Sequence, residues 1–397
     1  MWVAALLLAL LAGMPAGALA QADNDFCLGC HGVPDGLGPP VEPQEFEASA
    51  HGALPCLACH DTAEEVPHPE AMTRPACGVC HNPQTEEYEM SVHGVARARG
   101  DREAASCTDC HDSPHRLRQA RDPGSSVYPL NLPRTCGRCH GDPELAKRHG
   151  IRATNVYQLY MDSIHGKAIT RSGLLVAATC SSCHGAHKIR ARGDPASRVH
   201  RTNVPKTCGG CHAGILPVYH ESIHGREAAA GNPVAPICTD CHTAHEIRRI
   251  EVEAWKLEIV RECGTCHAES LRTYRDTFHG QVTALGFTRV ARCSDCHGAH
   301  DILPARDSLS RVHPANRVAT CRTCHPAANA NFAKYDPHAD HENRARNPLL
   351  YYTARFMTWL LVGVFAFFGL HTTLWGARAL VAKRRGERPP SEPKESA

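Results

Sequence analysis

Apolar residues are concentrated near the two ends of the chain. Residues 2–12 (WVAALLLALLA) are apolar, and residues 356–375 (FMTWLLVGVFAFFGLHTTLW) carry no formal charge. About 20 apolar residues cross a bilayer as a helix, so we predict one transmembrane helix, with bounds 349–382. The first run and the small residues Ala18 and Ala20 are typical of a signal peptide, residues 1–20, cleaved before Gln21. An uncleaved anchor is the alternative, because no Lys or Arg precedes this run.

Basic residues predict the orientation of the C-terminal helix. Arg355 precedes the apolar run, whereas Lys383, Arg384, Arg385 and Arg388 follow it. Basic residues favour the cytoplasmic side of a membrane. We therefore predict that residues 383–397 form a cytoplasmic tail and that residues 21–348 lie on the exported side.

The pattern between these two ends is that of short helices and connectors. Stretches such as TEEYEMSVHG and AESLRTYRDTFHG contain good helix formers and no Pro. Others, such as KIRARGDPASRVHRTNVPKTC, are broken by Gly and Pro and are typical of loops. The predicted fold class is therefore mostly irregular and α-helical.

All 22 cysteines lie in eleven Cys-x-x-Cys-His motifs, and none is left over. This motif attaches haem c through two thioether bonds, and its His is the fifth ligand of the iron. Disulfides or zinc sites would not require a His after every second Cys. We predict eleven covalent haems, bound at Cys27, Cys30 and His31; Cys56, Cys59 and His60; Cys77, Cys80 and His81; Cys107, Cys110 and His111; Cys136, Cys139 and His140; Cys180, Cys183 and His184; Cys208, Cys211 and His212; Cys238, Cys241 and His242; Cys263, Cys266 and His267; Cys293, Cys296 and His297; Cys321, Cys324 and His325.

Composition agrees with a chain organised around these groups. Aromatic residues make up only 6% of the sequence, which has 31 Gly and 28 Pro. The predicted exported region has about 30 residues per motif, too few for a large side-chain core. The porphyrins must then supply the apolar interior. The net charge of +2 argues against nucleic acid as a partner.

Two recurring classes of His outside the motifs are candidate sixth ligands. The first class has the pattern aromatic-x4-His-Gly, with Ser or Thr two residues before the His, and we expect it on short helices. The second class follows a haem motif closely, as in Cys-His-Gly-Ala-His, and we expect it to reach a neighbouring haem. The first class is His51, His93, His165, His224 and His279; the second is His68, His115, His187, His245 and His300.

Together, motifs and classes form a repeat. Each unit contains a first-class His, a haem motif, a second-class His, a connector and a second haem motif. The unit occurs five times, preceded by one leading haem motif at Cys27. We predict an extended architecture of five double-haem repeats plus one haem.

The eleventh distal ligand should follow the last motif. We choose His338, which lies 13 residues after His325, with His341 as the fallback. His200 and His313 occupy a slot that holds Tyr128 in a third unit, so we interpret them as partners of ligands or propionates. His149 and His220 fall outside both classes and are not assigned a metal role.

The doubled Cys-x-x-Cys-His repeats over residues 25–345 resemble the bacterial periplasmic multihaem cytochromes c of respiratory electron transfer. The last segment resembles the membrane anchor of relatives that are fused to, or work with, membrane b-type cytochromes. The resemblance implies a single-pass protein of the bacterial inner membrane with its haems in the periplasm. A quinone site would have to be shared with another polypeptide.

The resemblance and the His count favour electron transfer. The expected path joins a membrane cytochrome b or quinone-reactive subunit to a periplasmic or outer-membrane redox partner, in anaerobic respiration. His371 lies within the predicted span and is a candidate ligand for a haem b shared with that partner, or for a hydrogen bond to a neighbouring helix. One rival is an enzyme acting on nitrogen or sulfur compounds, with one five-coordinate haem. Another is a storage or filament protein.

Overall fold

The computed structural model describes residues 16–33, 40–69, 72–151 and 154–386. These residues form helices, turns and irregular segments, with no β-strand among them, so the mostly α and irregular fold class is confirmed. The predicted signal peptide lies largely outside the described residues, although its predicted cleavage point falls within the first described helix. Most of the predicted cytoplasmic tail also lies outside them.

The helices that precede the C-terminal helix are short, with at most 16 residues. The described α-helices are α1 (Ala16–His31), α2 (Pro43–Glu47), α3 (Asn82–Glu89), α4 (Val92–Ala98), α5 (Cys107–His111), α6 (Leu132–His140), α7 (Pro143–Arg148), α8 (Val156–Asp162), α9 (Ile164–Thr170), α10 (Cys180–His184), α11 (Val204–Gly209), α12 (Ile215–Glu221), α13 (Ile223–Ala229), α14 (Cys238–His242), α15 (Glu253–Cys266), α16 (Ala268–Arg275), α17 (Phe278–Ala284), α18 (Cys293–His297), α19 (Arg317–Arg322) and α20 (Pro348–Arg384). Short 3-10 helices cover Cys56–Ala58, Asp61–Ala63, Cys77–Val79 and Phe332–Lys334.

The chain divides into two compact units. One consists of Met1–Glu262 with His297–Ser310, and the other of Cys263–Cys296 with Arg311–Ala397. The first unit contains three copies of the same pair of short helices, and the second unit contains one.

The repeat begins with a pair of short helices whose first member carries a Tyr. This arrangement occurs as α3 with α4, α8 with α9, α12 with α13, and α16 with α17. The Tyr hydroxyl donates a hydrogen bond to the backbone carbonyl two residues before the next haem-motif Cys. The four bonds run from Tyr88 to Ala105 (2.7 Å), Tyr160 to Ala178 (3.0 Å), Tyr219 to Pro236 (3.0 Å) and Tyr274 to Ala291 (2.9 Å). The aromatic position of the sequence pattern therefore ties each helix pair to the following haem motif.

The Ser or Thr of the same pattern caps the second helix. In α13, for example, the Ser222 side chain accepts a hydrogen bond from the Gly225 N–H at 3.0 Å. Such caps satisfy an N–H group that has no partner within the helix. Equivalent bonds are made by Ser91, Ser163 and Thr277.

Gly after the His is required by a close approach of backbones. A Cβ atom at Gly225 would overlap the carbonyl oxygen of Tyr219, at the end of the preceding helix. The same overlap arises at Gly94, Gly166 and Gly280. The His is thereby held at the second residue of a capped helix that is pressed against its neighbour.

His51 departs from this arrangement. The sequence places it in the helical class, but it lies in a turn that follows α2. Pro55 follows closely, and a Pro disfavours helical geometry in the residue before it. The turn still brings Gly52 against the end of α2, where a Cβ atom would overlap the carbonyl of Phe46 or Glu47.

The Pro-containing connectors are held by hydrogen bonds of their own. In the segment before α11, the Asn203 side chain donates to the carbonyls of Pro195 and Ser197, both at 2.8 Å. Asn131 makes the equivalent pair of bonds before α6. The connector before Cys263 lacks this turn and forms α15 instead, because its sequence EAWKLEIVREC contains no Pro before the motif.

Few apolar side chains are buried by the polypeptide itself. Eleven hydrophobic residues are buried among those described, and several of the other buried side chains are the Ser and Thr that cap helices or turns. Apolar side chains such as Val176 and Leu285 remain more than 80% exposed. The protein chain alone therefore provides caps and clamps rather than a continuous apolar core.

The C-terminal helix α20 is the longest element. It spans 37 residues, and it is the one helix in the described residues that is long and apolar enough to cross a membrane. The predicted segment 349–382 lies inside it. Arg344 and Arg355 lie over the rings of Tyr352 and Tyr351, at 5.4 Å and 5.3 Å from the ring centroids, near the start of the helix.

We predict that Gly225→Ala destabilises the protein, because the added Cβ atom forces α12 and α13 apart. The matched control is Gly193→Ala, where a Cβ atom meets nothing within 4 Å. Thermal unfolding followed by haem circular dichroism should show a clear fall in melting temperature for Gly225→Ala alone. Equal melting temperatures for the two variants would contradict the packing argument.

Candidate haem centres

Each Cys-x-x-Cys-His motif is folded into a single turn. Four motifs form complete five-residue helices, α5, α10, α14 and α18, which begin at the first Cys and end at the His. In other motifs the His N–H donates to the carbonyl of the first Cys, as from His60 to Cys56 at 3.0 Å and from His212 to Cys208 at 2.9 Å. Residues three and four apart share a face of a helical turn. Both thiols and the imidazole are thereby presented to one side.

The residue after four of these motifs has a positive φ angle. Gly185 and Gly298 have φ values of 86° and 85°, which Gly adopts without strain. Asp112 and Thr243 take the same turn with φ values of 67° and 61°. This turn directs the chain towards the second-class His, which explains the Gly in Cys-His-Gly-Ala-His.

The structure brings nine haem-motif His rings opposite nine of the predicted distal rings. The pairs, with centroid distances, are His31 with His68 (5.9 Å), His60 with His115 (5.9 Å), His81 with His51 (6.1 Å), His111 with His187 (6.1 Å), His140 with His93 (6.1 Å), His184 with His245 (6.2 Å), His212 with His165 (6.1 Å), His242 with His300 (5.9 Å) and His325 with His279 (6.0 Å).

These distances fit a six-coordinate metal between each pair of rings. Metal–imidazole bonds of about 2 Å on both sides, with about 1.1 Å from each nitrogen to its ring centre, separate the centroids by about 6 Å. Ordinary aromatic pairs cover a similar range of distance, so the distance alone is not decisive. The decisive feature is the pairing itself, because each of the nine pairs joins one motif His to one predicted distal His.

The two predicted classes of distal His face different haem motifs. A first-class His faces the second motif of its own repeat, as His165 faces His212. A second-class His faces the first motif of the preceding repeat, as His187 faces His111; His68 in the same way faces the leading motif at His31. Successive repeats are therefore interlocked through their haem sites.

A backbone hydrogen bond accompanies this interlocking. The N–H of Val92 donates to the carbonyl of Ile189 at 2.8 Å, which fixes the segment of His93 beside that of His187. The same bond joins Ile164 to Ile247, Ile223 to Ile302 and Ala50 to Leu117. Each bond connects the first-class segment of one repeat to the second-class segment of the next.

The two classes also differ in ring geometry. The four first-class pairs have interplanar angles of 37° to 51°. The five second-class pairs have angles of 5° to 32°. The chain therefore presents two distinct arrangements of the axial rings.

Burial keeps many of these rings in the form that binds a metal. It lowers the pKa of the rings of His93, His140, His165, His184 and His245 below the usual value. A neutral imidazole has a lone pair to donate, whereas a protonated ring has none. The buried sites thus favour ligation at neutral pH.

Attachment points of successive motifs lie in contact. The Cys136 and Cys180 thiols are hydrogen bonded, which holds the pKa of Cys180 below its usual value. Corresponding contacts join Cys27 with Cys56, Cys77 with Cys107, Cys208 with Cys238, and Cys263 with Cys293. Cys110 lies near Cys136, and burial together with such neighbours raises its pKa to about 11. Groups bound at these thiols are neighbours in chain order.

The other His residues have different surroundings. His200 Nδ1 lies 2.8 Å from the Thr202 hydroxyl, and His313 Nδ1 accepts a hydrogen bond from the Ala315 N–H at 3.3 Å, so both are engaged within their own turns. His149 pairs with Asp101 and Glu103 at 3.2 and 2.8 Å. His220 lies against Tyr219.

The remaining predicted distal ligands lie in both units. His224 is the second residue of α13, as expected for its class. His338 is half-buried, and its Nδ1 lies 3.0 Å from the Thr273 hydroxyl. The fallback residue His341 is exposed and lies 3.6 Å from the Asp276 carboxylate.

Some residues of the site have roles that the sequence reasoning missed. The Tyr residues whose hydroxyls clamp the helix pairs are the aromatic residues of the aromatic-x4-His-Gly pattern, which the sequence analysis used only to predict the His. Trp255 stacks on His242, with ring centroids 5.9 Å apart and planes 9° apart. The connector that contains Trp255 lacks the Pro-containing turn of the other connectors, and this difference in sequence could have indicated a separate role for Trp255.

Comparison with known proteins agrees with the haem-binding motifs. The class III cytochrome c family matches residues 33–140. The cytochrome c-type protein NrfB of Escherichia coli O6:H1 is 27% identical over 140 residues, which cover 35% of this chain and 65% of the relative. The match thus spans about two thirds of the relative's length. No solved structure matches the chain.

The eleven motifs are of the kind that attaches haem c, and both matches are to cytochromes c. The chain is thus similar to class III cytochromes c over residues 33–140, and it has a candidate membrane-spanning helix at its C-terminal end.

We predict that His187→Ala removes an axial ligand from the haem bound to Cys107 and Cys110. The haem bound to Cys180 and Cys183 should keep both of its ligands. The variant should gain a high-spin electron paramagnetic resonance (EPR) signal of about one haem, because one axial ligand is lost. Adding Cys107→Ser and Cys110→Ser should abolish this signal, while adding Cys180→Ser and Cys183→Ser should not.

His200→Ala is the matched control and should leave the spectrum unchanged. If the signal instead disappears with the second pair of Cys substitutions, the assignment between repeats is wrong.

Proposed function

We propose that this chain binds eleven haems and conducts electrons along its length, between a membrane partner and a periplasmic or outer-membrane acceptor. The observation that carries the proposal is the combination of paired axial rings with attachment points that touch in chain order. A chain built for one reaction at one metal would not need such a series of neighbouring sites within each unit.

The residues favour electron transfer over substrate chemistry. When bound, haem supplies an iron that gains and loses one electron. Two imidazole rings face each other at nine sites, and coordination of one iron by both rings would leave no position for a substrate there. We propose the same for the other two motifs, with His224 and His338 as the remaining distal ligands on the strength of the sequence repeat. The rival enzyme needs at least one site with an open position.

Contacts between motifs support a path through each unit. Cys59 lies near Cys77 and Cys80, and Cys183 lies near Cys208 and Cys211. Cys296 lies near Cys321 and Cys324. Together with the hydrogen-bonded thiol pairs, this proximity makes motifs that are neighbours in sequence within each unit also neighbours in space. Short steps between neighbouring groups are what a conduit requires.

The membrane end supports a link to the quinone pool. We propose that α20 spans the bacterial inner membrane with residues 383–397 in the cytoplasm and the haem region, residues 21–348, in the periplasm, because the basic residues cluster after the span. A membrane cytochrome b or quinone-reactive subunit is the proposed partner. His371 is exposed on α20 and is a candidate ligand for a haem b shared with that partner. We propose that this electron transfer is part of anaerobic respiration.

We expect the mature protein to carry eleven covalent haems, one for each motif. The intact mass after acid–acetone extraction measures this number directly, because thioether-bound haem remains attached to the chain. A fully matured preparation with ten or fewer haems would show that one motif is not used.

A second prediction tests the path to the membrane. A soluble form that ends after Asn347 should retain its haems and accept electrons from dithionite, but lose reduction by quinol in membranes. The stop after Asn347 preserves the contact of this side chain with the Asp340 backbone.

The matched variant replaces residues 356–375 by an unrelated apolar helix and keeps the rest of the chain. It should remain in the membrane yet be reduced by quinol much more slowly than the natural chain. Full reduction at the natural rate would show that α20 acts only as a tether.

A further inference from the structure

The segment 336–343 carries His338 and is held by several charged and polar contacts. Arg272 of α16 forms ion pairs with Asp340 at 2.6 Å and with Glu342 at 3.2 Å. The Asp340 side chain is only 3% exposed. Asp340 is therefore a buried charged residue that attaches this segment to α16.

The same segment is joined to the start of the membrane helix. The Asp340 N–H donates to the side-chain oxygen of Asn347, the residue before α20, at 2.9 Å. Arg346 pairs with Asp336 at 3.1 Å, and Asp336 accepts a hydrogen bond from the His338 N–H at 2.9 Å. The position of His338 is thus determined from both sides, by α16 and by the residues that precede α20.

The direction of one hydrogen bond fixes the form of the His338 ring. The Thr273 hydroxyl lies 3.1 Å from the Glu269 carbonyl oxygen and 3.2 Å from that of Ser270. Carbonyl oxygens only accept, and a hydroxyl has a single proton to donate. The Thr273 oxygen must then accept from His338 Nδ1, 3.0 Å away.

This arrangement leaves Nε2 as the nitrogen with the lone pair. A neutral imidazole with its proton on Nδ1 can bind a metal only through Nε2. Ligating His residues commonly donate their other N–H to a protein acceptor, which orients the ring and makes it a stronger donor. Thr273 is 2% exposed, so water does not compete readily for its hydroxyl.

We propose that Thr273 and the Arg272–Asp340 ion pair are positioning residues that hold His338 as an axial haem ligand through Nε2. The proposal rests on the distal role of His338 given above. Thr273 favours the tautomer with the proton on Nδ1, beside the Ser270 carbonyl that also hydrogen bonds the His338 ring. The ion pair holds the segment so that the ring reaches its place. Because the segment is bound to the residues that precede α20, the membrane end of the protein also determines this ligand.

The test uses the full-length holoprotein with Thr273→Val, which preserves shape but removes the acceptor oxygen. We expect a high-spin EPR signal of up to one haem equivalent, carbon monoxide binding to the same fraction of reduced haem, and unchanged total haem. Any fraction that stays low-spin should have a higher midpoint potential, because the ring has become a weaker donor. Thr273→Ser retains the hydroxyl and should restore the natural spectrum and potential.

Asp340→Asn provides the second measurement. It removes the charge with little change of shape and should give a smaller high-spin fraction than Thr273→Val. If the Thr273→Val protein does not acquire its haems, the high-spin fraction of Asp340→Asn becomes the test. A natural EPR spectrum for Asp340→Asn would then overturn the proposal.

His338→Ala separates this proposal from the one on which it depends. If His338→Ala gives one high-spin haem while Thr273→Val and Asp340→Asn match the natural protein, the positioning role is wrong and the ligand assignment stands. If His338→Ala leaves every haem low-spin, His338 is not a ligand and the assignment itself fails.

Discussion

The placement of two imidazoles for the proposed axial coordination of iron is the constraint on which this structure depends. It demands two rings on opposite sides of one metal, about 6 Å apart between centroids. Nine pairs between 5.9 and 6.2 Å satisfy it in a chain with few buried apolar side chains. An ordinary domain gains its stability from a continuous apolar core. Here the elements of the chain are instead arranged so that two distant His residues face each other repeatedly.

The short helix pair is the device that achieves this placement. A Tyr hydroxyl clamps the pair to the next motif, a Ser or Thr caps the second helix, and a Gly permits the close approach of backbones, as in Tyr219, Ser222 and Gly225. The His between cap and Gly has almost no freedom to move. Rigid placement suits a centre that must keep both ligands in either oxidation state, because little rearrangement accompanies the change.

Interlocking of the repeats has consequences for stability. Because His187 faces His111 and His245 faces His184, the next repeat supplies the ring opposite the first motif His of each of these repeats. Repeat proteins in general are stabilised by contacts between neighbouring units. In the proposed arrangement this contact is a shared metal site, so a repeat at the end of the series needs a ligand from elsewhere. The segment of His338, fixed to α16 and to the residues that precede α20, is its proposed source.

The sequence alone determined the chemistry of this protein. Spacing of Cys and His specifies covalent haem because thioether bonds and the fifth ligand require adjacent residues. The two classes of distal His also emerged from sequence, because each carries local features, such as Gly94 or Gly185, that a capped helix or a left-handed turn requires. What sequence could not supply was the pairing of His187 with His111, since their separation in the chain carries no information on distance in space. The tertiary structure decided that pairing, the Tyr hydroxyl clamps and the orientation of His338 by Thr273, because each depends on contacts between segments remote in sequence.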